Sequence, residues 1–283
     1  PESSIDDLNP QLVEALLSHK RSQRAISGAD SIETKLHRLN VLTNTGELTT
    51  AGVLVLGGYP QQFFPRLVID VTAHPGLEKS NPAAPMRFLD RTICEGTIPE
   101  MVDLAVAAVT RNLRTFTVVT GEGRRDQLEV PEDAIREAIA NVALHREYNS
   151  RFQSQDISVD IYSDRIEIGS PGGLWGGKTR ETLDDGVSIP RNHVLLNLLQ
   201  SVPSNAGYQA AEGQGSGIRL IINRMAEGSL KPPEFKVTPA RVEVTLRRHG
   251  TEVPELRSWL NELTDRDLTP EEDAVLVTLN RDG

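Results

Sequence analysis

The chain has 283 residues, of which 38% are hydrophobic and 25% charged, with a formal net charge of −10. That balance belongs to a globular chain long enough for two cored domains, and its acidity argues against nucleic-acid binding through bulk electrostatics. A single cysteine, Cys94, excludes an intramolecular disulfide framework and suits a reducing cytoplasm; no run of eighteen apolar residues and no leader-like pattern over 1–20 points to a membrane or to export.

In chain order, residues 1–40 read as helical, with Asn9-Pro10 as a start signal and Leu12, Val13, Leu16 and Leu17 as the apolar stripe. Val53–Leu56, stopped by Gly57-Gly58, is too short to assign as helix or strand. Leu67–Thr72 reads as a strand, Pro75 to Pro85 as a polar loop, and Ile98 to Leu113 as an amphipathic helix. Charged, glycine-containing Gly121 to Gln127 reads as a domain seam.

The helix predicted over Pro131 to Tyr148 organises the rest. Pro131, Glu132 and Asp133 suit its N-terminus, and nearly every face is apolar, which marks a buried helix. Yet Glu137, Asn141 and His145 repeat at i, i+4 and i+8 as one polar stripe, and buried polar groups need partners. We read the partner as a ligand.

Period-two patterning follows, with a strand through Ile157, Val159 and Ile161, a turn at Ser163-Asp164 and a returning strand over Arg165–Ile168. A loop from Ser170 to Pro190 leads to a short helix over Val194–Leu199. The segment Glu212-Gly213-Gln214-Gly215-Ser216-Gly217 opens a helix over Ile218–Met225, and Val242, Val244 and Leu246 form a last strand. This is an α+β half with helices on one face of a mixed or antiparallel sheet. Thr269-Pro270-Glu271-Glu272 is a clean helix start close to Gly283, which suggests a further domain.

Four motifs bear on chemistry. Gly213, Gly215 and Gly217 before a helix suit phosphate on backbone N–H groups; a flexible loop without ligand is the equal alternative. Glu137 and Asn141 one turn apart suit a magnesium nucleotide, with the amide oxygen on the cation and the glutamate activating water. A buried hydrogen-bond network is the plainer alternative. Gly172 to Thr179 matches the P-loop pattern, but Arg180–Leu183 is cut short by Asp184-Asp185-Gly186, so the match reads as coincidence. His145, Arg146 and Tyr148 read as helix-end residues, Ser188 or Asn192 as a helix cap, Arg191 as an ion-pair or phosphate residue, and Cys94 as inert.

Taken in order, Glu137-xxx-Asn141 with His145–Tyr148, Asp164–Ile168, Ser170-Pro171-Gly172-Gly173-Leu174, Ser188-xx-Arg191-Asn192 and Glu212-Gly213-xx-Ser216-Gly217 resemble a known family. It is the divergent GHKL-type ATPase-like domain of bacterial transcriptional regulators often labelled RecG-like, and Leu48–Leu54 with Gly57–Pro60 looks like the segment preceding it there. The resemblance, over roughly 35–248, implies an α+β, Bergerat-like (GHKL) α/β sandwich preceded by a smaller α+β domain. It divides the chain into 1–125, a GHKL-like domain at 126–248, and a linker with the start of a winged helix at 249–283. It also implies a Schlafen-type AlbA domain upstream; no helicase motor motifs are present.

The resemblance further makes Glu137 the catalytic glutamate and Asn141 the Mg2+ ligand. It makes Ser170, Gly172 and Gly173 the first glycine box, and Gly213, Gly215, Ser216 and Gly217 the phosphate loop for ATP. Ser170 stands where the family usually has an adenine-binding aspartate, a weaker acceptor. The expected function is a cytoplasmic transcriptional-regulator fragment that binds ATP and hydrolyses it slowly if it is an enzyme. It would reach DNA through flanking domains, with room for a homodimer and no membrane contact. The alternative is a nucleotide-free dimerisation module that positions those domains.

Overall fold

The computed structural model describes residues 3–79, 86–120, 123–203, 213, 215–228 and 230–248. Three short helices come first, α1 (Pro10–Ser18), α2 (Lys20–Ala25) and α3 (Ile32–Arg38). Asn9 starts α1 as the sequence suggests, its side chain accepting from the Gln11 N–H at 3.0 Å with proline at the first helical position. The ambiguous apolar run resolves as α4 (Thr50–Leu56), in which every residue from Ala51 to Leu56 is buried. A helix buried all round leaves no periodic signature, which is why its pattern could not be told from a strand.

The chain then makes β1 (Ile69–Ala73), β2 (Asp90–Cys94) and α5 (Ile98–Arg111), the last held by a capping box between Thr97 and Glu100. A two-stranded antiparallel ladder follows, β3 (Thr115–Thr120) and β4 (Gly123–Leu128), and residues 123–127 of the stretch read as a domain seam lie in β4. Next come α6 (Glu132–His145), β5 (Ile157–Ile161), β6 (Arg165–Pro171), α7 (His193–Leu199), α8 (Gly217–Glu227), β7 (Glu234–Val237) and β8 (Arg241–Arg247). Both β2 and β7 escape the sequence pattern: β2 carries Asp90 and Arg91 with Ile93 exposed, and β7 alternates Glu234 and Lys236 with Phe235 and Val237 over only four residues.

One mixed sheet of six strands, in the order β2-β1-β5-β6-β8-β7, carries the fold. The β1 and β5 strands pair in parallel and every other neighbour pair is antiparallel. The sheet therefore crosses residue 125, taking β1 and β2 from before it and four strands from after it. Residues on one face, among them Ile69, Val71, Ile157, Val159, Ile166, Ile168, Val244 and Leu246, are buried against the helix layer of α5, α6 and α8. The other face carries Asp70, Thr72, Ser158, Glu167, Glu243 and Thr245. The result is the α+β, two-layer α/β sandwich that the sequence suggests. The expected linker and helix start over 249–283 lie outside the described residues.

Among the described residues no helix is long and apolar enough to cross a membrane.

Candidate functional site

Helix α6 lies in the core through Ala134, Ile135, Ala138, Ile139, Val142, Ala143 and Leu144, all buried. Its polar stripe is turned toward a cleft of about 170 Å3, whose lining includes Glu137, Asn141 and His145. The other walls are the end of β6 and its loop (Ser170, Gly172, Gly173, Trp175), the segment from Lys178 to Arg191, and the start of α8 with Gly213, Gly215, Ser216 and Gly217. Every residue expected at a nucleotide site thus lines one cleft. Glu212 and Gln214 lie outside the described residues.

The acid and the amide are joined. The Asn141 side-chain nitrogen donates to Glu137 Oε1 at 2.9 Å. A carboxylate only accepts, so this bond fixes which amide atom faces the acid and leaves Asn141 Oδ1 as the oxygen available to a cation. Helix α8 begins directly against this pair. A Cβ on Gly217 would fall 2.0 Å from Glu137 Oε1 and 2.8 Å from Asn141 Nδ2, so only glycine permits the approach. Gly215, at φ +73°, brings the loop against Gly186 and Ser188 on the opposite wall.

The N-terminus of α8 has no side-chain cap, since Ser216 occupies the cap position without accepting a backbone N–H. The positive end of the helix dipole therefore faces the cleft, with the Glu137 carboxylate already set against the first turn. By contrast α7 is closed by its own Asn192, which accepts from Leu195 N–H at 3.0 Å; of the two residues weighed as the cap, Asn192 holds the role and Ser188 lines the cleft.

Several polar side chains are already engaged. Buried Ser170 donates its hydroxyl to Val142 O at 2.9 Å, which leaves it only accepting capacity toward a base. Arg191 pairs with Glu147, donates to Gly173 O at 2.5 Å and lies 5.3 Å from the Trp175 ring. Lys178 pairs with Asp185 and donates to Thr182 O at 3.1 Å. Only a single 3-10 turn, Arg180–Thr182, follows Thr179, so the helix that a P-loop requires is absent there and the pattern match is coincidental.

His145 departs from expectation. The helix dipole would favour its charged form, but burial first, and then the positive charges of Arg191 and Lys178, push its pKa down to about 4. It is a neutral imidazole at neutral pH. Arg146, fully buried, ties down the loop beyond the helix, donating to the carbonyls of Glu147 at 2.9 Å, Phe152 at 2.9 Å and Gln155 at 2.5 Å instead of to those of the last helical turn. Tyr148 donates to Ala143 O at 2.6 Å. Cys94 is buried with its thiol pushed up to about 12, mainly by desolvation, and is inert as expected.

Sequence reasoning missed the apolar side of the cleft. Trp175 is half exposed beside Arg191, and its isolation among four glycines was a signal that a large ring had to find a surface. Phe235 comes from the unforeseen β7 and had no such signal. Chemically, the cleft joins an apolar floor to an acid–amide pair and an uncapped helix start, which suits a base or other flat apolar group at one end and phosphate at the other. Among the described residues no three His, Cys, Asp or Glu gather as a ready-made metal cage. The donor set nonetheless fits magnesium held by one amide oxygen together with substrate phosphates, the usual manner of that ion.

Residues 154–246 match the family model described as "Putative ATP-dependent DNA helicase recG C-terminal". That match supports a GHKL-like, histidine-kinase-type ATPase-like domain here, and so a nucleotide-binding type of module. It begins after α6, so the helix bearing Glu137 and Asn141 lies upstream of the matched stretch and is joined to it in space by Gly217. No curated protein sequence matches the chain. Among solved structures, the DIP2311 protein from Corynebacterium diphtheriae superposes with a TM-score of 0.63 at 22% identity, covering 91% of this chain and 49% of that one. The likeness is one of fold, and this chain spans about half the length of that protein.

Proposed function

We propose that the chain is an ATP-binding module of GHKL type, with Asn141 as the magnesium ligand. In this reading Gly213, Gly215, Ser216 and Gly217 hold the phosphates, and Ser170, Gly172 and Gly173 lie at the base. Magnesium, when bound, supplies charge neutralisation at the phosphates. Glu137 orients a water, and its bond from the Asn141 amide keeps the carboxylate placed for that task. Turnover is slow hydrolysis. The module serves a cytoplasmic transcriptional regulator whose DNA contacts come from flanking domains. The observation that carries the reading is the uncapped start of α8 set directly against the acid–amide pair.

A second reading has its own support. Both cations lining the cleft, Lys178 and Arg191, are committed to Asp185 and Glu147, so neither stands ready for a phosphate. This favours the same fold without nucleotide, acting as a dimerisation scaffold for DNA-binding ends.

Calorimetric titration with ATP, ADP and GTP in magnesium, paired with thermal melting, separates the two. Binding predicts stabilisation of about 3 kcal/mol at ~100-fold excess over the dissociation constant. An unchanged melting temperature at millimolar Mg-ATP selects the scaffold.

A further inference from the structure

Strand β2 forms one edge of the six-stranded sheet, with no strand on its outer side among the described residues. The direction of its free backbone groups follows from the neighbouring ladder. Ile157 N–H donates to Val68 O and His74 N–H to Ile161 O, so the even-numbered residues of β1 serve the parallel pairing with β5. The odd-numbered Ile69, Val71 and Ala73 are then the ones bonded to β2, opposite Cys94, Thr92 and Asp90. The main-chain groups of Arg91 and Ile93 therefore face outward. The Arg91 N–H meets only the carboxylate of its neighbour Asp90.

Such an edge is ordinarily blunted by inward charges, a bulge or proline. Here the outward-facing residues are followed by exposed Glu95, and Ile93 is 51% exposed on a five-residue edge. Read antiparallel about Ile93, the segment Arg91-Thr92-Ile93-Cys94-Glu95 is complementary to itself. Ile93 falls opposite Ile93, and Arg91 falls opposite Glu95 at both ends.

We propose that this edge is an interface with a second copy of the chain. Two β2 strands pair antiparallel about a two-fold axis at Ile93 and join two six-stranded sheets into one. Opposite charges face each other in this register, whereas centring on Arg91 would oppose like charges directly. The same register sets Leu89 of one copy, 61% exposed, near the strand end where the other exposes Tyr59, whose hydroxyl donates to Glu95 at 3.3 Å. Arg91 already bonds Asp70 through Nε and Nη2, which leaves Nη1 on a 43% exposed side chain to meet the second copy. The interface lies apart from the nucleotide cleft and does not depend on it.

The test is sedimentation of the intact chain over a concentration series, with melting curves to show that each variant folds. Wild type is expected to dimerise. Arg91→Glu and Glu95→Arg each place like charges together twice by symmetry and weaken the dimer about tenfold. The double variant restores it. Independently of any substitution, amide exchange at Arg91, Ile93 and Glu95 slows as concentration rises. A monomer at every concentration, single variants as dimeric as wild type, or a double variant that fails to recover overturns the proposal.

Discussion

Glu137 and Asn141 are bonded to each other at 2.9 Å, and the first residue of α8, Gly217, rests against both. Part of the polar stripe on a largely buried helix is thereby covered by the start of another helix, and the rest faces the cleft. Replacement of Gly217 by alanine tests this contact. At an ordinary helix position the change would be favourable by up to about 1 kcal/mol. Here the new methyl would lie 2.0 Å from a carboxylate oxygen, and overpacking of that kind costs about 1–3 kcal/mol. Urea unfolding should show that loss, together with weakened Mg-ATP binding. Gly177→Ala is the control: its φ of +77° brings left-handed strain of about 1–2 kcal/mol, but no atom lies within 4 Å, so binding should be spared.

Removing the cation ligand separates the two glycine-rich motifs. Asn141→Ala takes away the amide oxygen and the bond that steadies Glu137, so the stabilisation by Mg-ATP should vanish. Lys178→Ala removes a lysine whose bonds go to Asp185 and Thr182, so the stabilisation should persist. The opposite pattern in melting experiments would falsify the assignment of the cleft.

How far the sequence reached is explained by the same geometry. The i, i+4, i+8 spacing of Glu137, Asn141 and His145 survives folding because a helix preserves local spacing, so one side of the cleft was legible. Gly213 to Gly217 was legible as a helix start for the same reason. That the two would touch was implied only by the family resemblance, since some seventy residues separate them. What stayed hidden depends on tertiary contact. The α4 helix has no polar face to give it a period, and β7 contributes Phe235 from four residues too few to pattern. His145 looked like a charge favoured by a helix end until its burial beside Arg191 and Lys178 reversed the sign.

That reversal has a consequence for acid stability. The folded pKa of His145, about 4, lies below its ordinary value near 6.5, so the unfolded chain binds the proton more readily. Stability from this group is complete above pH 6.5 and is lost as pH falls from 6.5 toward 4, by about 1 kcal/mol per pH unit. His145→Gln cannot titrate there. Melting temperatures of the two proteins should fall together from neutral pH only if His145 is not the source; the expected result is a flatter profile for the variant between pH 6.5 and 4.

The end of β8 offers a test of the fold itself. Glu129, almost wholly buried just before α6, accepts from Arg248 Nε at 3.0 Å and from the Arg114 N–H at 2.8 Å. Arg248 also donates to Tyr162 O, so one guanidinium ties the sheet to the entry of the helix that carries the acid–amide pair. Arg248→Ala leaves the carboxylate buried without its cation and should destabilise by about 3–5 kcal/mol in urea unfolding. Combining Arg248→Met with Glu129→Gln removes both charges and keeps a donor and an acceptor near the Arg114 N–H. The pair should therefore recover a good part of the loss, with a coupling of about 1–3 kcal/mol in the double-mutant cycle. Strictly additive losses would mean that the two side chains act separately and that the tie between sheet and helix lies elsewhere.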